Sequence, residues 1–153
     1  MHNYLDRHGQ TDNNKARRIQ GQIDIPLNAK GKLQAQKIAK KLKNVSFSKA
    51  FSSDLKRAKE TAHIILKNNS TNEGSIDLDE RLREKQYGEW EGLTWETVHD
   101  RNPTLKRDIM EHPLEWQAPH GENMEQMFRR IEGFLSDLKS HLATLDDSEN
   151  ADG

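Results

Sequence analysis

Asn3-Tyr4-Leu5-Asp6-Arg7-His8-Gly9-Gln10-Thr11 opens the chain with a brief apolar stretch that stops on an arginine, a histidine and a glycine. Asn3-Tyr4-Leu5 reads as a short first strand, and Arg7-His8-Gly9 then falls at its carboxyl end. A histidine there is held by scaffold yet faces a crevice. Neutral imidazole carries a free lone pair near pH 7 and attacks an electrophile without a helper base. Gly9 lets the backbone approach a ligand closely, and Arg7 offers two donors to phosphate oxygens. Taken alone, the tripeptide also fits a helix-capping histidine beside a surface arginine, so its weight depends on the rest of the chain.

Outward from that motif, residues 15–27 contain Gly21 and Pro26 and little periodicity, which predicts a loop. From Lys30 the spacing turns helical. Ala35, Ile38, Ala39 and Leu42 share one face, with Asn28 as N-cap. Lys49-Ala50-Phe51-Ser52 reads as a second strand. It leads into a helix from Asp54 with Leu55, Ala58, Ala62 and Ile65 on one face. Residues 68–75 are polar and turn-like, and Ile76 to Leu78 read as a third strand. Residues 87–92 read as loop, Thr94 as the cap of a short helix carrying Trp95 and Val98, and Pro103 as the start of another. Residues 113–122 look irregular. The last helix is the clearest, with Met124, Met127, Phe128, Ile131, Leu135, Leu138, Leu142 and Leu145 in helical register. Strands alternating with helices predict an α/β fold with a mostly parallel sheet. Ligands in such sheets bind beyond the carboxyl ends of the strands, where Arg7-His8-Gly9 and Ser52-Ser53 both lie.

Composition narrows the function classes. The 153 residues suit one domain, lean in apolar material at 32% hydrophobic and 32% charged, with a mean hydropathy of −1.05. Lys+Arg 24 against Asp+Glu 25 leaves a net charge of −1. No global field therefore draws the chain to nucleic acid or an anionic membrane, and anion binding falls to local arginines. Cysteine is absent, which excludes disulfides, thiolate nucleophiles and cysteine-held metal. No apolar run reaches the length of a membrane span. His63, His99, His112 and His141 show no metal-ligand spacing, and Trp90, Trp95 and Trp116 read as packing rather than a base-stacking platform. The expectation is a soluble, cytoplasmic protein with no nucleic-acid or membrane partner.

The order of motifs adds a resemblance. Arg7-His8-Gly9-Gln10-Thr11 with Asn14 resembles the nucleophile motif of the histidine phosphatase superfamily, the phosphoglycerate-mutase-like proteins, with Gln10 where the family usually has Glu. Gln20-Gly21-Gln22-Ile23-Asp24-Ile25-Pro26-Leu27 followed by Gly31 is similar to its next loop. Phe51-Ser52-Ser53-Asp54-Leu55-Lys56-Arg57-Ala58 resembles the segment bearing its second phosphate-binding arginine. Leu82-Arg83-Glu84 with Tyr87-Gly88-Glu89-Trp90-Glu91-Gly92 resembles the segment bearing its acid, and Pro119-His120-Gly121-Glu122-Asn123 its Pro-x-Gly-Glu-Ser element, with Asn123 for Ser. The resemblance implies a three-layer α/β/α fold. It implies His8 as the phosphorylated nucleophile and Arg7 and Arg57 as the phosphate clamp with Asn14 nearby. Gln20 and Gly21 become contacts to a small phosphorylated metabolite and Glu84 the general acid, with no metal or organic cofactor. Physical chemistry fits these roles: two arginines spread the charge of a transferring phosphoryl group, and a carboxylate beside a phosphoryl dianion feels like charge that favours its proton-donating form. The short spacing between Glu84 and His120 is similar to the phosphatase branch, nearest to TIGAR-type fructose-2,6-bisphosphatases.

Two departures stand out. The family carries a second catalytic histidine after its long helix, at the end of a hydrophobic strand, and neither a strand-like run nor a histidine follows Leu145 here. The expectation is a domain over residues 1–145 that is the N-terminal part of the family's, a disordered acidic tail over 146–153, and a sheet lacking its C-terminal strand or strands. A protein partner could fill that gap by strand addition. Losing one donor to the transferring group costs about 10²–10³ in rate. The alternative to an active phosphatase is therefore an inactive module binding a phosphorylated ligand or partner, or a truncated product without function. The second departure is Asp6, an acid before the motif arginine, placed either to pair with Arg7 or to repel substrate phosphate.

Overall fold

A computed structural model describes residues 2–67, 69 and 75–151, with side chains to residue 143. Its centre is a β-α-β unit. Strand β1 (Ala50–Ser52) passes through helix α3 (Lys56–Lys67) to strand β2 (Ile76–Leu78). The strands pair in parallel, Ala50 beside Ile76 and Ser52 beside Leu78. Parallel strands require such a crossover, because a hairpin cannot return the chain in the same direction. Helix α2 (Ala29–Leu42) lies against α3. Asn28 caps it as its sequence predicts, accepting from Gly31 N at 2.9 Å. The buried positions of α2 are Gly31, Ala35 and Ala39, small residues that bring the helix close to its neighbours.

Residues 3–5 form no strand, which corrects the sequence expectation. A strand exists only where a second backbone accepts its hydrogen bonds. Among the described residues the sheet has two strands, β1 and β2. Tyr4 meets the edge of Phe47, with ring centroids 5.6 Å apart, and is itself exposed, and Leu5 is fully exposed. A second unforeseen element is α1 (Asp12–Lys15), a single helical turn. Thr11 caps it and Asn14 returns the bond from its side chain, a reciprocal capping box.

The second half of the chain folds around Trp90. A turn of 3₁₀ helix (Gly88–Trp90), α4 (Trp95–Arg101) and α5 (Leu105–Glu111) enclose a cluster of Ile19, Trp90, Val98, Leu105 and Ala118. Thr94 caps α4 as expected, accepting from Thr97 N at 3.1 Å. Pro103 precedes α5 rather than starting it. The Trp90 ring meets Trp116 at 5.2 Å and Trp95 at 6.4 Å, so the tryptophans pack, as read. Long helix α6 (Met124–Ala151) rests on a 3₁₀ turn (Glu80–Leu82). Its most buried residue is Phe134, edge-on to Phe51 at 5.4 Å, while Phe128 and Leu135 of the expected stripe are exposed. The backbone is helical as far as Ala151, across acidic residues that composition assigns to a disordered tail. No described helix is long and apolar enough to cross a membrane.

The loop carrying His8 is fastened by backbone contact to α2. A Cβ on Gly9 would sit 2.4 Å from the carbonyl oxygen of Gly31, and one on Gly31 would sit 2.2 Å from that of Gln10. Backbone cannot yield as a side-chain tip does. Gly9→Ala is therefore expected to lower stability by about 1–3 kcal/mol, the usual cost of overpacking, as urea unfolding would measure. An unchanged midpoint would show that the loop does not depend on this contact.

Candidate functional site

Four of the residues singled out by sequence act on one another around His8. The His8 imidazole is half-buried, and its Nδ1 lies 2.7 Å from the Gly9 carbonyl oxygen. An Nδ1–H donated to that carbonyl leaves Nε2 with the lone pair. Burial, foremost, lowers the His8 pKa below its ordinary 6.5. The Gly9 bond raises it, Arg57 and Arg7 lower it, and Glu84 raises it. The net direction keeps the ring neutral, the form a nucleophile needs. Gly9 is anchored from below: its N–H donates to Thr61 Oγ1 at 3.1 Å, and that hydroxyl donates to the Arg57 carbonyl at 2.8 Å.

Arg57 forms the floor. It is buried in the first turn of α3 at 1% exposure, a position that hydrophobicity alone would give to an aliphatic residue. Its Nη1 donates to Ile23 O at 2.8 Å and its Nη2 to Gly21 O at 2.6 Å. Nη2 also meets Glu84 Oε2 at 3.2 Å. The guanidinium has further donors beyond these three bonds, as a phosphate clamp requires. Gly21 reaches this position with φ at +51°, in the left-handed region that favours glycine. Its loop is tied down by Ile19 N donating to Leu93 O at 2.8 Å and Gly92 N donating to Ile19 O at 2.7 Å. Glu84 stands at the edge, its side chain 38% exposed. Arg7 is exposed beside His8, and Asp6 makes no ion pair with it among the described residues.

Gln20 and Asn14 form a neighbouring pair bridged by Thr11. The Thr11 hydroxyl lies within hydrogen-bond reach of both Gln20 Oε1 and Asn14 Oδ1, with one proton to give between them. Asn14 Oδ1 also accepts from Thr11 N at 3.1 Å, so its oxygen is engaged in capping α1. Gln20 is 4% exposed, and its Nε2 has no hydrogen-bond partner among the described residues. An unmade buried bond costs about 1–3 kcal/mol, which an acceptor oxygen on a ligand would recover.

Several residues that hold the site escaped the sequence reading. Glu91 accepts from Gln22 N at 2.9 Å and Tyr87 N at 3.0 Å. Arg83 pairs with both oxygens of Asp54. Arg130 and Glu122 grip the segment around Glu84. Charged residues of these types read in sequence as solvated surface, and their partners lie far along the chain. His120 holds a left-handed backbone at φ 58° and lies 3.3 Å from Glu89, on the surface. A recess of about 380 Å³ opens between residues 6–9 and α2, past Ala35 and Ile38. Arg7, His8 and Gly9 line it, whereas Arg57, Glu84, Gln20 and Gly21 do not.

The model of the histidine phosphatase superfamily, branch 1, matches residues 3–145. The chain is 35% identical over 136 residues to the protein named probable phosphoglycerate mutase GpmB of Escherichia coli O1:K1, covering 89% of this chain and 62% of that one. Among solved structures, Bacillus stearothermophilus YhfR superposes with a TM-score of 0.75 at 34% identity, covering 88% of this chain and 66% of that one. A mycobacterial glucosyl-3-phosphoglycerate phosphatase superposes at 0.74 with 31% identity, covering 87% and 64%. The chain thus spans somewhat under two thirds of the length of the curated relative it matches.

Proposed function

This chain belongs to the histidine phosphatase superfamily, branch 1, and on that premise we propose that it hydrolyses phosphomonoesters of small polar metabolites through a phosphohistidine on His8. The observation that carries this reading is a half-buried imidazole oriented by the Gly9 carbonyl, on a loop that Thr61 ties to the buried Arg57 and its partner Glu84. In the proposed reaction the phosphoryl oxygens lie against Arg57, Arg7 and the unpaired Gln20 amide. His8 Nε2 attacks phosphorus in line, the P–O ester bond breaks, and Glu84 protonates the departing alkoxide. Water then attacks the phosphohistidine, passes its proton to Glu84, and the N–P bond breaks to release phosphate.

Within that reaction a sugar phosphate of the fructose-2,6-bisphosphate kind is the substrate class we favour, acting in the cytoplasm. The resemblance of the motifs supports it. So does the likeness to a protein that acts on glucosyl-3-phosphoglycerate. A second reading, binding without turnover, keeps Arg7 and Arg57 for a phosphorylated ligand, and is supported by the buried Arg57 fork, which has donors beyond its three bonds.

Phosphate release from a panel of sugar phosphates, an aryl phosphomonoester and a phosphodiester decides between them. Turnover confined to the monoesters supports the phosphatase, and none at all leaves the binding module. The same assay across pH tests the state of His8. Because its pKa is lowered, the ring stays neutral as pH falls to 6.5, and the acid limb of kcat/KM is expected below that value. A limb centred at or above pH 7 would contradict the assigned environment.

A further inference from the structure

The Glu84 carboxylate hangs from a segment that belongs to no helix or strand, and something else must hold it. Arg130, on α6, does so with a side chain 18% exposed. Its Nη1 donates to the carbonyl oxygens of Arg81 at 2.6 Å and Arg83 at 2.7 Å, and its Nη2 donates to that of Glu84 at 3.1 Å. These carbonyls lack a regular ladder to satisfy them, and buried backbone acceptors are seldom left unpaired. Glu122 locks the guanidinium from the other side, accepting from Nε at 3.0 Å and from Nη2. Glu122 also continues the grip along the chain. Its carboxylate accepts from Gln86 N at 3.0 Å, its N–H donates to Gln86 O at 3.0 Å, and its carbonyl accepts from Lys85 Nζ. Arg81, Arg83, Glu84, Lys85 and Gln86 are thus all fastened to one ion pair.

We propose that Arg130 and Glu122 are positioning residues for the acid, fixing the backbone of Glu84 so that its carboxylate meets the leaving oxygen. An acid displaced by about 1 Å can lose on the order of 10²-fold in rate. The role rests on the reading of Glu84 as the proton donor, and the choice of leaving group separates the two. An alkoxide leaves only when protonated, whereas p-nitrophenolate leaves unaided. A loss of positioning therefore appears with an alkyl phosphate and not with the aryl one. General unfolding lowers both.

The test measures kcat and KM of the full chain and of Arg130→Gln on glycerol phosphate and p-nitrophenyl phosphate, with Glu84→Gln as reference. Arg130→Gln is expected to lower kcat/KM on glycerol phosphate, which covers only the steps up to departure of the alcohol, by about tenfold or more, within the range general acids contribute, and to leave kcat/KM on p-nitrophenyl phosphate nearly unchanged. Glu84→Gln is expected to show the same selectivity, more strongly. Glu122→Gln, which keeps the shape of the partner, serves where Arg130→Gln fails to fold, and is expected to shift the two substrates in the same sense. Equal losses of kcat/KM on both substrates, or no loss on either, overturn the positioning role. Selectivity in Arg130→Gln but none in Glu84→Gln overturns it too, since the acid would then be another group. No turnover of either substrate by the unmodified chain overturns the phosphatase reading, and the positioning role with it.

Discussion

His8→Ala is expected to abolish phosphomonoester turnover, a fall on the order of 10⁴-fold or more, as when a covalent nucleophile is removed elsewhere. The fold should barely notice. The ring's one hydrogen bond runs to the carbonyl of its own neighbour, Gly9, and Gly9 is anchored independently through Thr61. Urea unfolding of the variant should therefore lie within about 1 kcal/mol of the unmodified chain. Turnover that survives the substitution would move the nucleophile to another group, and a collapse in stability would make His8 a structural residue.

Arg57→Ala is expected to harm both stability and chemistry. The substitution takes a donor from the carbonyl oxygens of Gly21 and Ile23, the second of which keeps Ile25 N at 3.1 Å, and removes the cation beside Glu84. Removing one partner of a buried charge network costs about 3–5 kcal/mol. Glu84 is partly exposed, so its share is reduced by solvent, and the lower end of that range is expected. Against the 5–15 kcal/mol that separates typical domains from unfolding, this is a large fraction. Arg57→Lys keeps a charge but not the planar fork, so it should recover part of the stability while remaining about 10²–10³-fold down in kcat/KM, the usual loss for one transition-state donor. Stability and phosphate release measured on both variants separate the two effects. Wild-type turnover in Arg57→Lys would reduce Arg57 to a structural cation.

How much of this was legible in the sequence follows the range of the forces involved. Helices α2, α3 and α6 announce themselves by spacing, because one buried face repeats every turn. Asn28 and Thr94 cap helices through bonds three residues long, which sequence displays directly. Residues 3–5 have the composition of a strand, but a strand is made by its neighbours, and here none pairs with them. Helix α1 is too short for any period to show. His8, Arg57 and Glu84 were legible only as an ordered set of motifs, since each alone reads as surface. Glu91 and Glu122 fall within recognised motifs but their partners do not show there, and Thr61 and Arg130 carry no local signal at all. Arg130 lies 46 positions from the Glu84 carbonyl it holds, and only the folded chain brings them together. Arg57 inverts the expected pattern of α3: its most buried positions are Arg57, Thr61 and Ile65, two of them polar, because that face looks onto the site as well as the core.

The central claim is that phosphate passes through His8. The direct measurement is to mix the chain with a phosphomonoester, quench in alkali, where phosphohistidine survives, and map the adduct by peptide mass spectrometry. The account expects a phosphoryl group on His8 that acid releases and that is missing from His8→Ala. Phosphate release without any adduct on His8, or an adduct on a different residue, would contradict it.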